Sequence, residues 1–230
     1  MDLQLLSAAG QGACMNAPWP SPNASCCACS DSPLGLTRIF EPAIQLALWQ
    51  RPAEPLIVDW LAAHQHDLGS GMRQVLAPGS MPDLGHWPAG AGRDALARDI
   101  ALLAEMLGEL LAAENVGFRL EILGKAMCPR LHVDRVGIRL LCTYRGPGTE
   151  WVEDASLDRR FLGIASGGKP DEHSGLLLEG HRIETIPAFS VALLKGSLWQ
   201  GNAGRGIVHR SPLLPSNGGP RILLAMDAGW

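Results

Sequence analysis

The feature that most constrains the fold is a change in hydrophobic period near Asn115. Before it, apolar residues recur at alternating steps of four and three, the spacing of one stripe on an amphipathic helix: Leu96, Ile100, Leu103, Leu107 and Leu110. After it, the run FRLEIL alternates apolar and polar side chains, which is the period of a half-buried strand. The chain therefore joins a helical part to a β-rich part.

Short strand-like runs continue to the C-terminal end of the chain. They read RLHVDRV, IRLLCTY, EWVE, HRIETI, FSVALLKG, GIVHRS and RILLAMD, with turn residues and no helical pattern between them. Such spacing is typical of an antiparallel sandwich or barrel. Upstream, LTRIFEPAIQLALWQRP and EPLIVDWLAAHQHDL each carry apolar residues at helical spacing. We therefore predict an α+β protein whose N-terminal helices support a β-rich C-terminal half.

These patterns divide the chain into three segments. Residues 1–35 are rich in Ala, Ser, Pro, Gly and Cys without a sustained period, and we expect a flexible N-terminal tail. Residues 36–115 are predicted to be a helical region that packs on the β core. Residues 116–230 are predicted to form that core.

Composition and charge exclude several classes of protein. Hydrophobic residues make up 47% of the chain and charged residues 18%, which is ordinary for a globular protein. The net charge of -4 and the absence of a basic run argue against a nucleic-acid surface. No apolar run approaches the ~18 residues of a membrane helix. The N-terminus carries Asp2 instead of the basic region of a signal peptide, so we expect a cytoplasmic protein.

Three of the six cysteines cluster in the sequence CCAC, at Cys26, Cys27 and Cys29. A disulfide framework is not expected in a cytosolic chain of this length. Cys27 and Cys29 could chelate a soft metal, but structural zinc sites combine two such cysteine pairs and no second pair is evident. We interpret the cluster as part of the tail, with a functional thiol site as the alternative.

A candidate metal site is assembled from separate strand-like runs. His132 and Asp134 lie two positions apart, so on a strand both side chains point the same way. A second imidazole would complete the two-histidine, one-carboxylate triad of non-haem Fe(II) oxygenases, and His209 supplies it at the end of an apolar run. Arg221 opens the following run, and an arginine there can bind a carboxylate through two hydrogen bonds.

These residues carry a resemblance to a known superfamily. Over about residues 116–230 the chain resembles the double-stranded β-helix of the 2-oxoglutarate/Fe(II)-dependent oxygenases, especially the prolyl-hydroxylase-like branch. HVD matches the H-x-D segment, and VHRSP with PRILLAMD resembles the hairpin from the second histidine to the arginine. Within that superfamily, CPRLHVDRVGIRLLCTYRGPGTEWV together with LALWQR resembles the bacterial family of unknown function DUF1826, from about Leu36 onwards.

The resemblance implies a jelly-roll or cupin-like core and a role for each matching residue. It implies that His132, Asp134 and His209 bind Fe(II), that Arg221 anchors the C5 carboxylate of 2-oxoglutarate, and that Tyr144 donates its hydroxyl to the same carboxylate. The implied activity is a hydroxylase-type dioxygenase acting on an unidentified small molecule or protein. Two departures weaken the anchor: the interval from His209 to Arg221 is longer than usual, and GPGTE replaces Gly-Gly-Glu.

Other interpretations of the same residues stay open. Two histidines and an aspartate also suit Zn(II), as in a non-catalytic zinc-handling or zinc-sensing protein. A degenerate β-helix could serve only as an interaction module. Arg221 could pair with Asp227 or Glu150 instead of a ligand, and Arg139 and Trp151 are weaker candidates for the pocket wall.

Overall fold

The computed structural model describes residues 25–229, so the predicted tail up to residue 24, Cys14 included, lies outside the described part. The described strands are β1 (Cys27–Ser30), β2 (Leu46–Trp49), β3 (Gly71–Leu76), β4 (Asn115–Leu123), β5 (Ile138–Arg145), β6 (Glu150–Val152), β7 (Ile183–Thr185), β8 (Val191–Lys195), β9 (Val208–Arg210) and β10 (Arg221–Gly229). The α-helices are α1 (Pro55–His64) and α2 (Ala91–Leu111). A 3-10 helix spans Pro33–Phe40, and four shorter ones lie between β6 and β7.

The strands form two sheets. The main sheet has seven strands in the order β1-β2-β8-β5-β10-β4-β3, in which β1 and β2 run parallel and the other neighbours antiparallel. The smaller sheet has the order β7-β6-β9 and is antiparallel. The protein is thus a mixed α/β structure with one large sheet and few helices.

The main sheet buries both of its faces, against different partners. On the helix-packed face, the stripe of α2 covers side chains of β4 and β10 such as Phe118 and Leu224. On the opposite face, Leu141 and Leu223 pack in one cluster with Trp151 of the smaller sheet. Successive side chains along a strand point to opposite faces of the sheet, so alternate residues of each strand contribute to the two clusters.

The helical part follows its sequence pattern. Two of the three predicted helices are confirmed as α1 and α2, and the buried positions of α2 include the apolar stripe from Leu96 to Leu107. The last turn of α2 closes at Ala112, whose backbone is left-handed (φ 49°) and whose N–H bonds to Glu109 and Gly108. The chain then turns directly into β4 at Asn115, where the hydrophobic period changes.

Residues 25–51 contradict their predicted structure. A helix was expected in LTRIFEPAIQLALWQRP, but the segment holds the end of the 3-10 helix and then β2. The expected flexible tail likewise ends early, because Cys27–Ser30 forms β1 beside β2. All of Leu46–Leu48 is buried, and a short continuous apolar run fits a buried strand as well as a helix. Strand β3 was also missed.

Within residues 25–229, neither helix has the length and apolar character needed to span a bilayer.

Candidate metal centre

His132 and His209 face each other across a ladder between two chain segments. Each residue's backbone N–H donates to the other's carbonyl, both at 3.0 Å, in an isolated antiparallel bridge. Side chains of directly opposed residues project from the same face of a ladder. The two imidazole rings accordingly lie with their centroids 4.5 Å apart. The expected strand RLHVDRV is reduced to this single bridge at His132, but the bridge is what aligns the histidines.

Asp134 completes the group on the same side as His132. Its Oδ1 lies 3.5 Å from His132 Nε2, and its Oδ2 lies 3.5 Å from His209 Nε2. One ligand atom from each of the three residues lies within 4.8 Å of the others. Among the residues that the structure describes, no other three His, Cys, Asp or Glu side chains meet this condition. The structure therefore brings the predicted ligands together.

Both imidazoles are oriented through their second ring nitrogen. His132 Nδ1 lies 2.8 Å from the carbonyl of Arg130, and His209 Nδ1 lies 3.1 Å from the carbonyl of Ile207. A carbonyl only accepts, so Nδ1 carries a proton in each ring, and Nε2 is the nitrogen that can bind either a proton or a metal ion. Both Nε2 atoms face Asp134, which is the arrangement a shared cation needs.

Arg139 holds the carboxylate in place. Its Nη1 donates to Asp134 Oδ2 at 2.7 Å, while Nε and Nη2 bind Asp227 at 2.7 and 2.8 Å. Burial alone would raise the pKa of Asp134, but hydrogen bonds from His132 and His209 and the charge of Arg139 hold it well below its usual range. Asp134 is therefore ionised, with Oδ2 bound to Arg139 and Oδ1 turned toward His132.

The same electrostatics act on His132. Burial opposes its charged form, but the hydrogen bonds to Asp134 and to the Arg130 carbonyl, together with the charge of Asp134, outweigh burial and raise the pKa of His132. A proton and a metal ion compete for the same Nε2 atom, so a carboxylate that attracts one also attracts the other. The Asp134 carboxylate therefore favours a positive charge at His132 Nε2.

Arg221 lines the same cavity as the three predicted ligands and is 1% exposed. Its Nη2 donates to Thr149 Oγ1 at 2.8 Å and to Thr143 Oγ1 at 3.2 Å, and its Nε has no hydrogen-bond partner. Within residues 25–229 no carboxylate forms an ion pair with this guanidinium. Burial lowers the pKa of Arg221 to about 10, so the group is still a cation at neutral pH.

The alternative partners of Arg221 are both engaged elsewhere. Asp227 binds Arg139, and Glu150 accepts from Arg210 at 2.7 Å. The interpretation of Arg221 as half of an internal ion pair is therefore wrong. Thr149 is fixed by the turn before it, since a Cβ at Gly148 would lie 1.7 Å from the carbonyl oxygen of Ile186. The departure GPGTE thus supplies a hydroxyl beside the arginine.

The expectation for Tyr144 is corrected. Arg221 is bound by Thr143 of β5, and the next residue along that strand points to the opposite face. Tyr144 is buried in the helix-packed core, and its hydroxyl donates to Asp99 of α2 at 2.6 Å. It cannot reach a carboxylate held by Arg221.

Two further residues lie near the centre. Trp151 was a weak candidate in the sequence, and Asp171 was not a candidate. Trp151 is opposite His209 in the β6–β9 ladder, so both side chains project from the same face, and Trp151 packs in the cluster between the sheets without lining the cavity. Asp171 carried no sequence signal, since it lies in the segment between β6 and β7. It is 2% exposed and accepts from the backbone N–H of Leu131 at 2.8 Å and from Arg130 Nε at 3.0 Å. Asp171 thus ties that segment to the residues just before His132.

A family model described as a protein of unknown function, DUF1826, matches residues 30–227. The chain belongs to the DUF1826 family. No curated protein matches the sequence significantly. The family match includes the three predicted ligands and Arg221, and it confirms the family suggested by the sequence. The family match names no reaction, so the reaction has to be inferred from the residues of the site.

Solved structures that resemble this DUF1826 member do so distantly. A prolyl-4-hydroxylase from Pseudomonas putida is 13% identical, with 86% of this chain and 98% of that chain covered at a TM-score of 0.45. A rice dioxygenase for auxin oxidation is 16% identical, with 80% and 73% covered at 0.45. Iron-bound HygX from Streptomyces hygroscopicus is 10% identical, with 86% and 87% covered at 0.45. At this similarity the functional inference is based on the site's own chemistry.

Proposed function

We propose that this DUF1826 member is a 2-oxoglutarate/Fe(II)-dependent dioxygenase of the hydroxylase type, with the two sheets as a double-stranded β-helix. One observation carries the proposal. A two-histidine, one-carboxylate donor set shares its cavity with a buried arginine that no carboxylate of residues 25–229 pairs with. The first feature suits a metal ion, and the second suits an anionic co-substrate beside it.

The donor set fits Fe(II). His132, Asp134 and His209 would hold the ion through two neutral imidazoles and one carboxylate, the ligands of non-haem Fe(II) oxygenases. When bound there, Fe(II) would supply the redox chemistry by which O2 decarboxylates a 2-oxo acid oxidatively while a substrate is oxidised. The protein's own contribution is orientation, through the Nδ1 hydrogen bonds of the histidines and the grip of Arg139 on Asp134.

Arg221 selects the co-substrate. A buried cation without a counter-charge is costly, and a carboxylate that enters the cavity removes that cost while gaining a bidentate hydrogen bond. The hydrogen bonds to Thr143 and Thr149 both come from Nη2, and Nε has no partner among residues 25–229. The distal carboxylate of 2-oxoglutarate would bind there, with its 2-oxo acid end toward the metal ligands. A zinc carrier would need the donor set but has no use for Arg221.

The substrate is a small molecule or a protein that binds at the mouth of this cavity. The outer lining is charged and includes Arg119, Glu121 and Arg210, each also paired with another side chain. This lining favours a polar substrate surface at the entrance. The apolar wall formed by Leu141, Leu223 and Ala225 lies deeper and keeps water from the metal side.

The direct test is production of succinate from 2-oxoglutarate. Purified protein is loaded with Fe(II) without O2, given 2-oxoglutarate, and then exposed to O2 while succinate is measured. We expect succinate from the native protein, none from Asp134→Ala, and a sharp decrease in Arg221→Met. Tight Zn(II) binding that is independent of 2-oxoglutarate, with no succinate from the Fe(II) form and no 2-oxoglutarate binding, would contradict the proposal.

A further inference from the structure

The cysteine cluster is part of the folded sheet and carries an inference independent of the proposed oxygenase. Cys27 and Cys29 lie two positions apart on β1, so both side chains point from the same face. Their Sγ atoms are 3.6 Å apart. Cys27 is half-buried and Cys29 is exposed, so one thiol packs against the protein and the other is open to solvent.

This thiol pair is separate from the metal centre. Strand β1 is an outer strand of the main sheet, three neighbours away from β5, which carries Arg139. Adjacent strands are about 4.8 Å apart, so the pair lies roughly 14 Å from β5 across the sheet. Within residues 25–229 the pair also has no third ligand: the nearby Glu153 accepts from Ser25 Oγ at 2.6 Å and from the backbone N–H of Cys26 at 3.0 Å. Both of its oxygens are therefore engaged.

The backbone disfavours a disulfide between these residues. Residues i and i+2 of a strand have Cα atoms roughly 6.6 Å apart, at the upper limit for a disulfide, whose sulfurs must approach to about 2.05 Å. The ladder of β1 with β2 is regular from Cys27 to Ser30, so closing the bond would distort it. Burial and the neighbouring Cys29 raise the pKa of Cys27, which keeps its thiol protonated and slow to oxidise.

A soft cation suits the pair better. It can draw the two sulfurs together without a covalent bond, and it replaces two thiol protons, which leave to solvent. Thiolate ligands select soft ions such as Cu(I), whereas a structural zinc site requires four ligands and this site offers two. Because Cys29 is exposed, its side chain can rotate to match the separation that the ion requires.

We propose that Cys27 and Cys29 form a two-thiolate site for a monovalent thiophilic cation of the Cu(I) type on the outer strand of the main sheet. The site belongs to β1 alone and needs neither the metal triad nor Arg221. Its ligand is the ion itself or an ion delivered by another thiol-bearing molecule.

The test is an anaerobic titration with Cu(I) in competition with a chromophoric Cu(I) chelator. The native protein is expected to bind one equivalent through the pair, and Cys29→Ser to lose at least tenfold in affinity. Cys128→Ser, which removes an exposed cysteine outside the pair, is the matched control and should bind as the native protein does. Because Cys29 is exposed, its replacement leaves the core intact. Cys27→Ser should repeat the loss.

A second variant separates this site from the oxygenase proposal. His132→Ala removes an imidazole of the triad and should bind Cu(I) through the thiol pair unchanged, whether or not the protein makes succinate. In addition, Cu(I) should protect Cys27 and Cys29 from alkylation, which mass spectrometry of the labelled peptides measures. Unchanged affinity in Cys29→Ser, loss of the equivalent in His132→Ala, or closure to a disulfide without Cu(I) binding would each overturn the proposal.

Discussion

Two arginines on opposite sides of the main sheet, Arg51 partly buried and Arg221 fully buried, differ in their partners. On the helix-packed side, Arg51 binds Asp99 of α2 through both guanidinium ends, at 2.5 and 2.7 Å, and donates to the carbonyl of Phe189 at 2.9 Å. On the cavity side, Arg221 contacts only two threonine hydroxyls. The Arg51 side chain is 12% exposed, while Arg221 as a residue is 1% exposed, so the more deeply buried cation is the one without a counter-charge.

The difference distinguishes a structural arginine from a binding arginine. A protein that buries an arginine only for stability gives it a carboxylate, because an unpaired buried charge is expensive. Arg51 follows that rule and Arg221 does not. Under the proposed function, Arg221 is the binding group for one end of an anionic co-substrate, whose other end would lie toward the metal ligands in the same cavity.

The largest effect is expected on the structural side. Asp99→Ala leaves Arg51 buried without its carboxylate, and we expect the free energy of unfolding to fall by about 3–5 kcal/mol. Chemical denaturation followed by circular dichroism measures the change. Asp94→Ala, on the same helix but exposed, is the control and should change stability by roughly 0.5 kcal/mol or less. A small loss in Asp99→Ala would remove the contrast between the two arginines.

A smaller effect is expected on the cavity side of the sheet, where Arg139 is paired with Asp134 and Asp227. Arg139→Gln removes the guanidinium that fixes Asp134 to Asp227, and we expect metal affinity to fall about 10- to 100-fold. Competition with a metal-binding dye measures it in the absence of O2. Arg73→Gln, an exposed arginine paired with Glu121, should leave the affinity unchanged. Equal affinities in both variants would mean that Arg139 does not position the ligand.

The smallest effect concerns Tyr144. Tyr144→Phe removes one hydrogen bond to Asp99, and we expect a loss of about 1–2 kcal/mol in stability. Affinity for 2-oxoglutarate should not change, because the hydroxyl lies on the helix-packed side of the sheet. Weaker 2-oxoglutarate binding with unchanged stability would instead support the original expectation that Tyr144 binds the carboxylate.

The sequence predicted the metal ligands and Arg221 better than it predicted the residues that hydrogen-bond to them or hold their segments in place. Two features of the site could be predicted because each depends on local spacing. They are the two-residue step from His132 to Asp134 and the order of His209 and Arg221. The partner of Arg221 was not readable. Thr143 and Tyr144 are adjacent, and only the register of β5 against β10 decides which of them faces the arginine. The role of Asp171 could not be predicted from the sequence, since its contacts are with residues some 40 positions away across irregular chain.

The edge of the main sheet shows the same limit. Strands β1 and β2 are short and pair in parallel, and β2 is buried almost throughout, so neither carries an alternating pattern. A periodicity argument assigned the first to a tail and the second to a helix. Only the neighbouring strand β8, about 145 residues later in the chain, completes the ladder.

The most direct test of the account is a calorimetric titration of 2-oxoglutarate into Fe(II)-loaded protein without O2, comparing the native chain with Arg221→Met. We predict one binding site in the native protein and an affinity at least about 30-fold lower in the variant, since a buried charged hydrogen bond is lost. The ligand-free variant should unfold at no lower a temperature than the native protein, because an unpaired buried charge has been removed. Equal affinities, or a variant that is strongly destabilised without ligand, would contradict the claim that Arg221 is reserved for an anion.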